Sequence, residues 1–236
     1  MADFLTSRRR FASLVVVLAP LLVLALLATQ IERPFWRFSP VPRQERRAAV
    51  ALRDSASPLE QWASRTFTLP YLERHYARAY YITDFPDMDA RDAFVSSVQA
   101  ALAQYEAVDI WLLAHSNDYI DWVATIDPAL RQHIRLVYNT GCYDEVQAAT
   151  WLRLGAVAYV GHPGESWSPV FYIYFLRRWS LGKRLDVAVS ESNTQMSRTL
   201  GWMGRLPGIV AGPQELYEES RASCYGRCDI TIEWSR

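Results

Sequence analysis

The sequence lacks an excess of either charge, because its 236 residues carry 25 Lys and Arg against 25 Asp and Glu. Zero net charge gives no reason to expect a nucleic-acid partner. No glycine-rich phosphate loop and no His and Asp cluster with metal-ligand spacing is visible. We therefore predict no cofactor, no metal and no nucleic acid. Half of the residues are hydrophobic, so the chain can build a core.

The N-terminus carries the strongest targeting signal. Three arginines at 8–10 precede an uncharged apolar run over 11–28. At 1.5 Å per residue a helix of this length spans roughly 27 Å, close to the thickness of a bilayer core. The preceding arginines favour a cytoplasmic N-terminus, which would place the rest of the chain outside the cytoplasm. A cleaved signal peptide, and hence a secreted protein, is the alternative, and "SRRRFA" weakly resembles a twin-arginine signal.

Three segments are predicted along the chain. Residues 1–30 form a signal anchor or transmembrane helix. Residues 31–75, with their prolines, arginines and serines, form a stalk that holds at most a short amphipathic helix. Residues 76–236 form the folded domain.

Within the folded domain, apolar runs alternate with helical patterns. "AYYIT", "VDIWLLA", "IRLVYN" and "AVAYVG" are typical of strands, and helices are predicted between and after them. Strands that are apolar throughout are typical of a sheet buried on both faces. The fold class predicted is therefore α/β, with a parallel-rich sheet and helices on both faces.

Two reactive side chains follow predicted strands. His115 comes directly after one strand, and Cys142 comes three residues after the next. Ligands of open parallel sheets bind at the carboxyl ends of the strands. If the two strands are neighbours, the thiol and the imidazole can meet, and a histidine can then activate a cysteine as a nucleophile. His75 and His133 lie in charged helical contexts and are predicted to be surface residues.

The other two cysteines suggest an oxidising compartment. Cys224 and Cys228 are close enough in "CYGRC" to form a disulfide. Cys142 would then remain as a free, reactive thiol. The alternative is that all three cysteines are reduced and that Cys142 is a small buried residue.

The order of these elements resembles that of the caspase-like cysteine peptidases, particularly the gingipain-like and CHAT branches. The residues that carry the resemblance are "DIWLLAHSND", "IRLVYNTGC", "LGAVAYVGHPGES" and "SPVFYIYFLRRWSLGKRLDVAVSESN", and "GIVAGPQELY" is similar to a late loop of the family. The resemblance covers about residues 79–217 and implies a caspase-like fold and a peptide or protein substrate.

The resemblance also implies roles for particular residues. His115 would be the catalytic base and Cys142 the nucleophile, and the backbone N–H groups of Ser116 and Cys142 would form the oxyanion hole. The chain departs from the family at Ser116, where glycine is usual. Candidate substrate-binding residues at the same edge are Asp118, Asp144, His162 and Glu165.

Interpretations without a catalytic or binding function compete with these roles. Each of the three acids fits a solvated loop residue, and so does His162. A carboxylate there would instead select a basic residue of a substrate. For the whole chain, the alternatives are an inactive caspase-like domain that binds or scaffolds at the membrane, and an unrelated doubly wound α/β domain.

Overall fold

A six-stranded sheet organises the residues described by a computed structural model, namely 40–54, 58–83, 90–114, 118–166, 168–203, 205 and 212–234. The strands are β1 (Gln44–Arg53), β2 (Tyr76–Thr83), β3 (Ala107–Leu113), β4 (Ile134–Asn139), β5 (Ala158–Gly161) and β6 (Ser223–Gly226). Their order across the sheet is β2-β1-β3-β4-β5-β6. The first five strands are parallel, and β6 runs antiparallel to β5. The predicted parallel-rich α/β sheet is confirmed.

Helices connect most of the strands. Two helix ends follow the local rules of the sequence: the Asp127 side chain accepts the Ala129 N–H at 2.8 Å, and Gly155 ends its helix with φ 118°. A 3-10 helix, Asp144–Gln147, leads into the fifth helix. The α-helices are α1 (Pro58–His75), α2 (Arg91–Gln104), α3 (Tyr119–Ala124), α4 (Pro128–Arg131), α5 (Ala148–Leu154), α6 (Ser168–Ser180), α7 (Leu185–Met203) and α8 (Pro213–Ser220).

Both faces of the sheet are covered. On one face, α2, α3 and α5 bury Val50, Ile110 and Val137 of the central strands. On the other face, α1 contacts β2 and α6 lies against the centre of the sheet. There the Phe175 ring lies 4.5 Å from that of Tyr138. Burial on both sides explains why the central strands are apolar throughout.

The predicted stalk over 31–75 is wrong for the part that the structure describes. Residues 44–53 form β1, which lies between β2 and β3, and residues 58–75 form α1. The short amphipathic helix expected in this stretch is a strand in its first half. "RRAAVALR" is rich in helix formers, but pairing on both sides and complete burial of Ala48–Leu52 override that weak local preference.

The edge of the sheet where the parallel strands begin is the amino edge. A buried polar cluster lies there, here called the amino-edge cluster: Arg47, Tyr76, Asp109 and Arg135. Arg135 binds Asp109 through two hydrogen bonds of 2.8 and 2.6 Å. Tyr76 donates its hydroxyl hydrogen to the same carboxylate. Both arginines also donate to the backbone carbonyl of Ile232, which fastens the C-terminal segment to the sheet.

Two N-terminal predictions lie outside the described residues. These are the membrane span over 11–28 and the wider anchor segment 1–30. Within the described ranges, no helix has both the length and the apolar character needed to cross a membrane.

Candidate active site

The ends of β3 and β4 lie side by side at the carboxyl edge, the edge of the sheet where the parallel strands end. Leu112 pairs with Asn139, and the Thr140 N–H continues the ladder by donating to the Leu112 carbonyl at 2.8 Å. The condition set by the sequence, that these two strands are neighbours, is therefore met. His115 and Ser116 lie outside the described residues, so the proposed dyad and oxyanion hole stay predictions.

Cys142 lies in a short loop beyond β4. Its thiol is not in a disulfide, and the residue is half-buried. On its N-terminal side, the Gly141 N–H donates to Asn139 Oδ1 at 3.0 Å. On its C-terminal side, the Tyr143 N–H donates to the Gly164 carbonyl at 3.0 Å. The loop is thus fixed on both sides of the sulfur.

Tyr143 holds an unusual backbone conformation directly after the cysteine. Its φ of 55° is left-handed, and it is the one non-glycine with positive φ in the described part of the chain. Its side chain is 55% exposed, and Val146 nearby is 84% exposed. A left-handed tyrosine costs energy relative to the ordinary regions. That cost is consistent with a loop shaped by its hydrogen bonds rather than by local preference.

Asp144 and His162 form a buried polar pair behind this loop. Asp144 Oδ1 accepts the His162 N–H at 2.5 Å, and the Tyr159 hydroxyl donates to the Asp144 carbonyl at 2.9 Å. Burial raises the pKa of Asp144 to about 8, although the hydrogen bond from the His162 backbone lowers it. Burial also lowers the pKa of His162 to about 4. Near neutral pH both side chains are therefore mostly uncharged.

The solvated-loop interpretation of Asp144 and His162 is wrong, because both are fully buried. "GHPGES" shows no apolar pattern that would have revealed this. His162 Nδ1 contacts the Ser220 carbonyl at 2.7 Å, and the Gly164 N–H donates to the Glu219 carbonyl at 3.0 Å. The segment after β5 is therefore tied to the end of α8.

The remaining predicted residues are distributed as follows. Asp118 is exposed just before α3, and Glu165 is exposed in the loop after β5. His133 is exposed, as predicted. His75 is fully buried at the end of α1, so its prediction as a surface residue is wrong. Burial, with the nearby charge of Arg74, lowers the pKa of His75 to about 4.

Two charged residues at the carboxyl edge were missed by the sequence analysis. Arg53 ends β1 and Asp54 follows it, and both are buried. Arg53 Nη1 donates to the Leu113 carbonyl at 3.2 Å, and Asp54 accepts the Tyr119 hydroxyl at 3.0 Å. The same rule that drew attention to His115 would have found them, had β1 been recognised as a strand.

Cys224 and Cys228 form the predicted disulfide, with their Cα atoms 6.1 Å apart. It closes the turn at the end of β6, where Gly226 has φ 79°. The Asp186 N–H donates to the Cys228 carbonyl at 2.9 Å, which ties the turn to the start of α7. Among the described residues, no group of three or more His, Cys, Asp or Glu is arranged to hold a metal ion.

Comparisons with known proteins do not assign the chain to a family. No family model matches the sequence, and no curated protein matches it. Among solved structures, a chain of the Saccharomyces cerevisiae separase–securin complex is similar over 84% of this chain, with 9% identity and a TM-score of 0.45. The match spans only 13% of that other chain. No residue role is transferred from it.

Proposed function

We propose that the chain is a membrane-anchored or exported cysteine peptidase with a caspase-like fold, in which Cys142 is the nucleophile and His115 the base. One observation carries the proposal. Leu112 and Asn139 are paired across neighbouring parallel strands, and His115 and Cys142 each follow their paired residue by three positions. Neighbouring strands lie about 4.8 Å apart, within the reach of two side chains that form a thiol–imidazole pair.

The chemistry is acyl transfer to sulfur. His115 takes the thiol proton, and the Cys142 thiolate attacks a peptide carbonyl carbon. The C–N bond then breaks, the amine leaves with the proton from the imidazole, and water hydrolyses the thioester. Backbone N–H groups of Ser116 and Cys142 are proposed to stabilise the oxyanion.

A non-catalytic binding or scaffolding domain of the same fold is the second candidate. Ser116 favours it, because glycine is usual at that position in the family that the sequence resembles. Under this hypothesis, Cys142 would have an ordinary thiol reactivity that does not depend on His115.

Alkylation kinetics separate the two candidates. The full chain in detergent is labelled with iodoacetamide at pH 7, with the disulfide intact, and adduct formation at Cys142 is followed by mass spectrometry. An ordinary thiol is a few per cent ionised at this pH, whereas a histidine-paired thiol is mostly thiolate, so we expect His115→Ala to slow labelling by about tenfold or more.

His133→Ala is the matched control, since this exposed histidine contacts the Tyr105 carbonyl at 3.0 Å, before the start of β4. Equal labelling rates in wild type and both variants would reject the peptidase and leave the scaffold. A fluorogenic peptide library then tests turnover directly, with Cys142→Ala as the blank.

Location is a separate part of the proposal. The Cys224–Cys228 disulfide supports an oxidising compartment, and the apolar run over 11–28 supports an anchor. A retained anchor predicts that the chain stays in the membrane pellet after alkaline extraction at its full mass. Release as a shorter soluble chain would instead indicate cleavage after the apolar run.

A further inference from the structure

Three features close to the Cys142 sulfur are costly for the fold. Tyr143, directly after the cysteine, is left-handed with φ 55°. Asp144, the next residue, is an acid with 0% exposure, and its Oδ2 is buried without a hydrogen-bond partner within the described ranges. Strained backbone and buried polar atoms without partners each raise the free energy of a fold, and they concentrate at functional sites. A functional reason for the shape of this loop is therefore expected.

The Asp144 carboxyl contacts the backbone on both sides of Cys142. Its Oδ1 accepts the N–H of His162, the residue that follows β5. Burial raises the pKa of this carboxyl, and hydrogen bonds from the backbone N–H groups of His162, Asp144 and Gly141 act to lower it. Gly141 precedes the cysteine, and Asp144 follows it by two positions. One buried side chain therefore spans the cysteine and joins its loop to the end of β5.

The end of β5 gives this carboxyl little room to move. Gly161 lies so close that a Cβ there would be 2.7 Å from Asp144 Oδ1. The Glu145 N–H donates to the His162 carbonyl at 3.0 Å, while the His162 N–H donates to Asp144. His162 is therefore bonded in both directions to consecutive residues of the Cys142 loop, and the loop cannot shift without breaking one of these bonds.

Burial argues against a direct role of Asp144 in substrate binding or proton transfer. A side chain with 0% exposure does not contact a substrate, and its Oδ1 is already bonded to the His162 backbone. Because burial raises its pKa to about 8, the carboxyl is mostly protonated at pH 7. A neutral group near the sulfur allows the Cys142 thiolate to form, whereas a carboxylate would oppose it. What Asp144 supplies is therefore a short polar side chain that fixes the loop.

We propose that Asp144 is a positioning residue that holds the Cys142 sulfur and the Cys142 backbone N–H in a fixed orientation at the carboxyl edge. The inference rests on the proposed function, to which it adds the residue that orients the nucleophile. Asp144 acts through the backbone of Gly141 and His162 and touches no substrate. A displacement of a reacting group by about 1 Å can lower a rate by about a hundredfold, so a side chain that sets the loop also sets the rate.

A double-mutant comparison with His115 tests the proposal. Cys142 is labelled with iodoacetamide at pH 7 in the full chain in detergent, with the disulfide intact, and Asp144→Asn and Asp144→Ala are each measured with and without His115→Ala. Asparagine keeps a neutral side chain with an oxygen that can accept the His162 N–H. We therefore expect Asp144→Asn to label within about twofold of wild type and to retain the roughly tenfold effect of His115→Ala. Alanine has no acceptor, so in Asp144→Ala the effect of His115→Ala should fall below about twofold.

A role in stability alone would give a different result. Asp144→Ala would then lower the urea midpoint without changing the effect of His115→Ala on labelling. Glu145→Ala is the matched control, because Glu145 is the adjacent acid of the same 3-10 helix and is half-buried rather than fully buried. This control should label at the wild-type rate and retain the full effect of His115→Ala.

Gly161→Ala covers the case in which Asp144→Ala fails to fold. Its added Cβ presses on Asp144 Oδ1 and leaves the carboxyl chemically intact. The rate of Cys142 labelling should then change by about threefold or more. Gly201→Ala should leave the rate at the wild-type value, because a Cβ at Gly201 meets nothing within 4 Å. Unchanged labelling in Gly161→Ala would overturn the proposal.

The outcomes separate this inference from the peptidase. An effect of His115→Ala that persists in full in Asp144→Ala would overturn the positioning role and leave the thiol–imidazole pair intact. If His115→Ala has no effect in wild type, the peptidase is rejected, and Asp144→Ala alone decides the positioning role. Because the loop holds Cys142 half-buried, loosening it should then speed labelling by about threefold or more, and an unchanged rate would overturn the positioning role as well.

Discussion

At the amino edge of the sheet, Arg135 lies between Asp109 and the carbonyls of the C-terminal segment. At the carboxyl edge, Arg53 donates one hydrogen bond of 3.2 Å and faces no described carboxylate. Both arginines are buried. Burial lowers the pKa of Arg135, but the charge and hydrogen bonds of Asp109 raise it by more, so the net shift is upward.

The two edges thus distinguish an arginine that stabilises the fold from an arginine that can bind a ligand. A buried charged side chain whose hydrogen-bonding groups are all occupied stabilises the fold and has few groups left to bind a ligand. The carboxyl edge instead holds a buried arginine with one hydrogen bond among the described residues, a cysteine outside the disulfide and two residues with pKa values shifted far from their usual range. Such shifts concentrate at functional sites, although structural networks produce them as well.

Asp109→Ala tests the amino edge and should have the largest effect. The change leaves Arg135 buried without the carboxylate that binds it, and breaking such a pair typically costs about 3–5 kcal/mol. Urea unfolding measures the loss. Asp186→Ala removes the exposed partner of Arg184 and should cost less than about 1 kcal/mol. A small loss in Asp109→Ala would show that water enters the cluster, and the contrast between the edges would fail.

Acid should weaken the carboxyl edge next. The pKa of His162 is lowered to about 4 by burial, whereas an unfolded histidine titrates near 6.5. Between these values the unfolded chain binds more protons, so the stabilisation is complete above pH 6.5 and is lost as the pH falls through 4. The full shift corresponds to about 3 kcal/mol. The urea midpoint of His162→Asn, measured relative to that of wild type, should therefore rise as the pH falls from 7.5 to 4.

His133→Asn is the control for this titration, because an exposed histidine should leave the slope unchanged.

The titration of Asp144 changes the stability of the fold in the opposite direction. Burial raises its pKa to about 8, so its contribution is complete below the unfolded value near 3.9 and is lost as the pH rises through 8. Asp144→Asn should therefore remove a loss of stability that runs from about pH 4 up to about pH 8. A difference in stability between wild type and His162→Asn that stays the same from pH 7 to 4 would contradict the buried, neutral His162.

The sequence predicts the middle of the fold better than its ends. "IRLVYN" matches β4 residue for residue, because a strand buried on both faces is apolar throughout. β1 was missed because Ala, Arg and Leu favour helices locally and only long-range pairing makes this stretch a strand. The same error hid Arg53 and the burial of His75, since both adjoin elements placed in a stalk.

The candidate site residues also divide into those that local sequence pattern reveals and those that depend on long-range contacts. Position at a strand end is readable from local pattern, so Cys142 could be nominated from the sequence. Whether Asp144 and His162 are solvated depends on the loop after β5 folding back against α8, and nothing in their own neighbours in sequence encodes that contact. Whether a single polar residue of a loop is buried therefore could not be predicted from the sequence.

Gly161→Ala tests the packing of the carboxyl edge. A Cβ at this position would lie 2.7 Å from Asp144 Oδ1 and 2.7 Å from Tyr159 Cε1. Overpacking of this kind costs about 2 kcal/mol, measured by urea unfolding. Gly201→Ala is the control, because a Cβ there meets nothing within 4 Å, and an alanine in a helix should stabilise α7 by up to about 1 kcal/mol. If both variants were stabilised, the contact of Asp144 with Gly161 could not be as close as described.

The smallest effect is expected at Tyr143, where the backbone beside Cys142 is left-handed at φ 55°. Comparing Tyr143→Gly with Tyr143→Ala isolates the backbone, because both variants remove the same exposed ring. Alanine pays the left-handed penalty and glycine does not, so the glycine variant should unfold at a free energy about 1 kcal/mol higher than the alanine variant. Urea midpoints measured side by side resolve such a difference. An alanine variant as stable as the glycine variant would mean that the loop relaxes out of this conformation, and that the hydrogen bond from Tyr143 N–H to Gly164 does not fix the chain around the thiol. The carboxyl edge would then differ from the amino edge in its charges alone and not in the strain of its backbone.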